Sequence, residues 1–223
     1  MQLSPEAVLF DMDGLLLDSE TLSLQCFNDE ITARGLDEQN AVFMSLIGTN
    51  EIAQRDILSK SLGHLLDIEA FWKDWKLRYQ STVENHPVPL KKGARELLEW
   101  LKQNGIARSV ATSSNTEHAT HLLKNAEIMS YFDVIVGGDQ VTRSKPEPDI
   151  YLKAAEETGV QVSNAIALED SANGVRAAVA AGLHVVQVPD LVQPTEELLG
   201  LGHRVCRDLG EVLELIQFCV SRK

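Results

Sequence analysis

Ala7-Val8-Leu9-Phe10-Asp11-Met12-Asp13-Gly14 is the stretch from which the fold is read. Four apolar residues run without a break into two carboxylates spaced one residue apart, and a glycine follows. An unbroken apolar run of this length is the pattern of a strand buried on both faces, and such strands belong to parallel sheets covered by helices. Ligands of those sheets sit beyond the carboxyl ends of the strands, so the polar residues just after each strand are the ones to inspect.

Downstream the pattern repeats. Helical text is expected over 93–104, 117–125, 148–158 and 172–181, each closed by or followed closely by a glycine or a turn, with strands over 108–111, 134–136, 165–168 and 184–188. A weak last strand near Arg204-Val205 and a terminal helix from Leu209 complete the series. Repeated alternation of helix and strand implies an α/β, Rossmann-like parallel sheet with helices on both faces. Residues 18–86 read differently: three helical segments (18–34, 51–62 and 68–85) and no strand. His86-Pro87-Val88-Pro89 then breaks helix firmly, because each proline restricts itself and its predecessor. The expected organisation is a core of residues 1–17 and 87–223 interrupted by an all-helical insertion, 18–86. Trp72, Trp75 and Tyr79 recur at helical spacing and are expected in the core of that insertion rather than as a sugar-stacking platform.

The bulk numbers narrow the function classes. The chain has 223 residues, 44% hydrophobic and 24% charged, close to ordinary globular composition. Twenty Lys and Arg against 33 Asp and Glu give a formal charge of −13, which repels nucleic acid and anionic membranes and means that an anionic ligand needs local cationic help. Cys26, Cys206 and Cys219 are widely spaced and suggest neither a disulfide framework nor a zinc site. The first residues reach Pro5 and an acid too early for a signal peptide, and no apolar run approaches the ~20 residues of a membrane span. A cytoplasmic, monomeric protein is the expectation.

Four strand ends carry residues capable of chemistry. The pair Asp11 and Asp13 could supply a nucleophile and a proton donor, and two close carboxylates call for a cation or a shared proton. Taken alone, the pair reads first as a turn or helix cap. Thr112, Ser113 and Ser114 follow the second strand and could cup a phosphate at a helix start, or merely cap the helix. Lys145 stands in Ser144-Lys145-Pro146-Glu147-Pro148-Asp149, a rigid loop suited to holding one ammonium in place; alone it is an ordinary solvated lysine. Glu169 and Asp170 follow the strand ending at Leu168, offering the hard oxygen ligands that suit Mg²⁺ or a charged helix N-terminus.

In this order the four sites resemble the motifs of the haloacid dehalogenase superfamily of phosphohydrolases over essentially the whole chain. The resemblance implies that Asp11 is the nucleophile, Asp13 the general acid and base, and Thr112 and Lys145 ligands of the transferring phosphoryl group. It also implies Mg²⁺ held by Asp11, the backbone carbonyl of Asp13 and Asp170, with Glu169 in support. The phrases DMDGLLLDSE and LEDSANG are similar to the branch of beta-phosphoglucomutase and sugar-phosphate phosphatases, whose helical cap is inserted after the first motif. Asp13 argues against dehalogenases and phosphonate-cleaving members, which lack that acid. The mutase pattern has a histidine soon after the first motif and an arginine in the cap loop. Here the first histidine is His64, and the loop reads Ile47-Gly48-Thr49-Asn50-Glu51 without a basic residue. Hydrolysis of a small phosphorylated metabolite, a sugar phosphate foremost, is therefore expected over a mutase; a non-catalytic phosphometabolite-binding protein is the reading from another class. Glu20, Ser23, Gly48, Thr49 and Asn50 are the candidates for substrate selection, against the plainer reading of helix end and solvated surface.

Overall fold

A computed structural model describes residues 5–49 and 51–221. In chain order the elements are β1 (Ala7–Phe10), α1 (Ser19–Ala33), α2 (Asn40–Met44), α3 (Glu51–Leu62), α4 (Ile68–Asn85), α5 (Ala94–Gln103), β2 (Ala107–Ala111), α6 (Thr116–Asn125), β3 (Val134–Val136), α7 (Asp149–Thr158), β4 (Ala165–Glu169), α8 (Ala172–Ala180), β5 (His184–Gln187), α9 (Glu196–Leu199), β6 (Arg204–Val205) and α10 (Leu209–Val220). Among the described residues six strands form one sheet in the order β3-β2-β1-β4-β5-β6, and each of these pairings is parallel. This doubly wound order reverses direction between β1 and β4, the place where such sheets open a ligand crevice.

The apolar runs are continuous because both faces are covered. On one face Val8, Phe10, Val110, Ile166 and Leu168 pack with Leu97, Leu98 and Leu101 of α5, Leu122 and Leu123 of α6, and Val212 and Ile216 of α10. On the other, Ala7, Leu9, Ala111, Ala165 and Ala167 meet Ile150, Tyr151 and Ala154 of α7 and Val175, Ala177 and Ala178 of α8. The alternation of side chains along each strand sorts large residues to the first face and mostly alanine to the second, so α7 and α8 can lie close to the sheet. That proximity brings the Tyr151 hydroxyl to the sheet's carboxyl edge.

Helices α1–α4 make a lobe with its own apolar cluster, in which Phe27 meets Phe43, Phe71 and Trp75 edge to face at centroid distances of 5.4, 5.2 and 5.3 Å. Trp72 and Trp75 are buried in this cluster and Tyr79 packs against it. The chain enters and leaves the lobe by two adjacent segments: Leu17 bridges Leu90, Asp18 N–H donates to Pro89 O at 2.8 Å, and Lys91 N–H donates to Leu16 O at 2.9 Å. Helices α2 and α9, five and four residues long, were not expected from the sequence; runs so short hold too little periodicity to be read, and each buries one apolar side chain, Phe43 and Leu198. Among the described residues no helix is long and apolar enough to cross a membrane.

Candidate active site

Backbone pairing sets where the acids emerge. Asp11 N–H donates to Leu168 O at 3.0 Å, so the residue after β1 lies level with the end of β4, and Thr112 N–H donates to Val136 O at 3.0 Å beside it. At the next residue but two the chain must turn, and Gly14 does so with φ of +78°, a conformation that costs an L side chain about 1–2 kcal/mol. A Cβ at Gly14 would also lie 2.6 Å from Asp170 Oδ2.

Lys145 closes the site from below. Its Nζ donates to Asp11 Oδ1 at 2.6 Å, to Glu169 Oε1 at 2.6 Å and to Ala111 O at 3.0 Å. Its side chain is 6% exposed, yet burial, which alone would favour the neutral amine, is outweighed by the carboxylates of Asp11 and Glu169, and its pKa is raised. The peptide between Lys145 and Pro146 is cis. Tyr151 adds an O–H donated to Glu169 Oε1 at 2.6 Å, and Ser171 Oγ donates to Glu169 Oε2 at 3.2 Å. Every oxygen of Glu169, a fully buried acid, is thereby engaged by the protein.

Asp11, Glu169 and Asp170 each present an oxygen such that the three lie within 4.8 Å of one another. One ammonium faces three buried carboxylates. Burial pushes Asp11 up to about 8 despite the opposing charge of Lys145, with Glu169 and Asp13 adding repulsion, and burial together with Asp11 and Glu169 raises Asp170 well above its ordinary range. Hard oxygen donors with an excess of negative charge fit a divalent cation such as Mg²⁺, and Asp11 and Asp170 are the carboxylates left to hold it, Glu169 being occupied by Lys145 and Tyr151. Gln187 steadies this loop by donating from Nε2 to Asp170 O at 3.0 Å.

Asp13 faces elsewhere. Its Oδ1 accepts from Ser19 Oγ at 2.9 Å, and its Oδ2 accepts from Ser114 Oγ at 2.8 Å and from Thr112 Oγ1 at 3.4 Å. The carboxylate expected to move a proton is thus held among hydroxyls, away from the three clustered acids. Thr112 is buried, while Ser113 is exposed on the wall of the cleft.

A cleft of about 650 Å³ lies between these strand ends and the helical lobe. Asp11, Asp13, Thr112, Ser113, Lys145 and Asp170 line it from the sheet, and Glu20, Ser23, Gly48 and Thr49 from the lobe. Glu169 is not on its wall, and Asn50 lies outside the described residues. Gly48 O accepts a hydrogen bond from the Asn173 amide, a contact between the lobe and α8. Sequence reading missed Ser19, Tyr151 and, above all, Lys76, and it did not foresee that Ser114 would hold Asp13. The loop around Gly48 has no basic residue, but α4 brings Lys76 to the same cleft, its Nζ 4.7 and 4.8 Å from the ring centres of Trp72 and Trp75. Burial lowers the Lys76 pKa, and Glu51, Glu20 and Asp13 pull against it. Opposite it, burial first and then the charges of Asp13 and Asp190 push Glu20 up to about 7.

Comparison with known proteins places this geometry. The family model described as haloacid dehalogenase-like hydrolase matches residues 8–188. A phosphorylated carbohydrates phosphatase of Thermotoga maritima is 34% identical over 80% of this chain and 82% of its own length. The crystal structure of CbbY from Rhodobacter sphaeroides in complex with phosphate superposes with a TM-score of 0.72 at 31% identity, covering 93% of this chain and 96% of that one. A beta-phosphoglucomutase from Clostridium difficile, at 22% identity and a TM-score of 0.76 over 98% of each chain, shares the fold. The match over most of both sequence and structure makes this chain a member of the haloacid dehalogenase-like hydrolase family.

Proposed function

We propose that the protein is a magnesium-dependent phosphatase of small phosphorylated carbohydrates that works through an aspartyl phosphate on Asp11. The observation that carries the reading is the convergence at one cleft of Asp11, Asp13, Thr112, Lys145 and Asp170 from separate strand ends and one loop. Lys145 takes Oδ1 of Asp11, which orients the carboxylate and leaves Oδ2 as the attacking atom. The same ammonium offsets charge on the equatorial oxygens of the transferring group, and Thr112 with Ser113 offers hydroxyls at the start of α6. Asp13, positioned by Ser19 and Ser114, gives its proton to the leaving oxygen and then takes one from the water that cleaves the aspartyl phosphate. A divalent cation held by Asp11, Asp170 and the Asp13 carbonyl would offset the charge of the acids and the phosphate.

The helical lobe serves as the cap. It covers the cleft with Glu20, Ser23, Gln54 and Lys76, polar groups that suit a polyhydroxylated substrate, and its closure excludes water. The name of the Thermotoga relative supports the same substrate class. Lys76 also favours a second reading. A cation on the cap side of the cleft could hold a second phosphate, as a phosphosugar mutase requires, so the absence of a base in the Gly48 loop is a weaker objection than it is in sequence.

Phosphate release from a panel of sugar phosphates, nucleotides and phosphoglycolate, with and without Mg²⁺, tests the proposal. Release that needs both Mg²⁺ and Asp11, lost in Asp11→Asn, is the expected result. Full activity in Asp11→Asn would refute it, and isomerisation of glucose 1-phosphate without phosphate release, once a bisphosphate primer is added, would establish the mutase instead.

A further inference from the structure

Asp190, three residues beyond the end of β5, carries a carboxylate that the proposed chemistry does not use. Its Oδ1 accepts from Lys91 Nζ at 2.6 Å, and the same ammonium donates to Asp18 Oδ1 at 3.2 Å. The side chain is 8% exposed, and Oδ2 is fully buried with no hydrogen-bond partner among the described residues. A buried acceptor left without a donor costs about 1–3 kcal/mol, and more when charged, so such an atom implies a donor that the described residues do not supply.

Gly14 shows where that oxygen points. A Cβ at Gly14 would lie 3.3 Å from Asp190 Oδ2 and 2.6 Å from Asp170 Oδ2. Two carboxylate oxygens, from the ends of β4 and β5, therefore converge over the glycine that follows Asp13. Lys145 cannot mediate between them, because its three hydrogen bonds go to Asp11, Glu169 and Ala111. Like charges that converge in this way need a donor between them.

We propose that Asp190 is a positioning residue for the divalent cation of Asp11 and Asp170, its Oδ2 accepting a hydrogen bond from a water that the cation retains. The inference rests on the metal reading above. Mg²⁺ keeps several of its waters, and outer carboxylates that orient such ligands are worth about 10- to 100-fold in metal affinity. Lys91 fixes the orientation of Asp190 by holding its other oxygen. Lys91 also sits between the two connections of the helical lobe, bonded through its backbone to Leu16 and through its side chain to Asp18. One ammonium thus joins the cation's outer support to the hinge of the cap.

Titration of the full chain with Mn²⁺, with free Mn²⁺ read by electron paramagnetic resonance, tests the role without relying on turnover. In Asp190→Asn the amide oxygen can still accept from Lys91, which turns an NH₂ donor toward the site where an acceptor is needed. The expected result is Mn²⁺ binding weakened about 10- to 100-fold, with the same loss at low salt and at about 0.5 M KCl, where charges act over only a few Å. Should that variant fail to fold, Asp190→Ser, too short to reach the site, is expected to show the same loss. Wild-type affinity in both folded variants would overturn the role of Asp190, and so would a loss that vanishes at high salt, which is the mark of through-space charge alone. Failure of the wild type to bind Mn²⁺ would instead overturn the metal reading on which the inference rests.

Discussion

Gly174 is the residue whose replacement separates tertiary structure from local propensity most sharply. It lies in the first turn of α8, where alanine should stabilise the helix by about 1 kcal/mol if propensity alone decided. The fold says otherwise. A Cβ at Gly174 would lie 1.9 Å from Cδ and Oε1 of Glu169 and 2.0 Å from Oε2, whereas contacts under 3.0 Å are essentially never found. The carboxylate would have to withdraw by at least about 1 Å. Its bonds from Lys145 and Tyr151, both 2.6 Å, would then be stretched to or past the hydrogen-bond limit, in a place where Glu169 has no access to solvent. Breaking a buried ion pair costs about 3–5 kcal/mol. Against the propensity gain of about 1 kcal/mol, the Gly174→Ala variant should lose roughly 2–4 kcal/mol in urea unfolding. The same substitution made on Glu169→Ala, where the obstructing carboxylate is gone, should change stability by less than about 1 kcal/mol, so the two sites should be strongly coupled in a double-mutant cycle. A Gly174→Ala protein as stable as the wild type, or additive effects in the cycle, would show that Glu169 can move freely and that its packing does not position Lys145.

Other expectations follow from the same geometry. Glu20 binds its proton more tightly in the folded state, at about 7 against 4.5 unperturbed. Its contribution to stability is therefore fully present below pH 4.5 and lost as pH rises through 7. Glu20→Gln should remove that loss, gaining on the order of 2–3 kcal/mol relative to wild type across the window, and parallel pH–stability curves would contradict it. Lys145→Met leaves Asp11 and Glu169 buried without their ammonium and should lose about 3–5 kcal/mol near neutral pH, part of it recovered on acidification as the buried carboxylates take up protons, an uptake that burial eases by raising Asp11 and Asp170 above their ordinary range; denaturation at two pH values checks this. Trp75→Ala opens a cavity among Phe27, Phe43 and Phe71 and should cost about 3–5 kcal/mol, with hydrogen-exchange protection falling in α1–α4 while β1 and β4 keep theirs. Lys76→Met should raise KM for sugar phosphates at least several-fold and change kcat less, as expected for a group that grips substrate away from the reacting phosphorus.

The sheet was legible because β1, β3 and most of β4 are continuous apolar runs and several of the helices end at or near glycines, signals that survive without knowledge of neighbours. Strand β4 is one case: the run Ala165-Ile166-Ala167-Leu168 predicts a buried strand and the structure extends it by one residue to Glu169. Residues at strand ends could be nominated for the same reason, since topology alone sends them to one edge. What sequence could not show were partners brought together by folding. Ser114 and Asp13 are 101 positions apart, and nothing in the text around either names the other. Tyr151 reads as one apolar residue of an amphipathic helix, and only the closeness of α7 to the sheet gives its hydroxyl to Glu169. Lys76 reads as a solvated helix residue because the two tryptophans beneath it look like core, which they also are.

The bridge between Leu17 and Leu90 bears on how such a protein can diversify. Seen from the sheet, the helical lobe begins and ends where a tight turn would, since its two connections are already hydrogen-bonded to each other. Closure entropy grows only with the logarithm of the enclosed length, about 0.6 kcal/mol for each doubling. A lobe of half or twice the size would therefore burden the core very little. The excursion behaves as an exchangeable cassette: mutation in α1–α4 can redraw the roof of the cleft while the acids and the lysine on its floor keep their register.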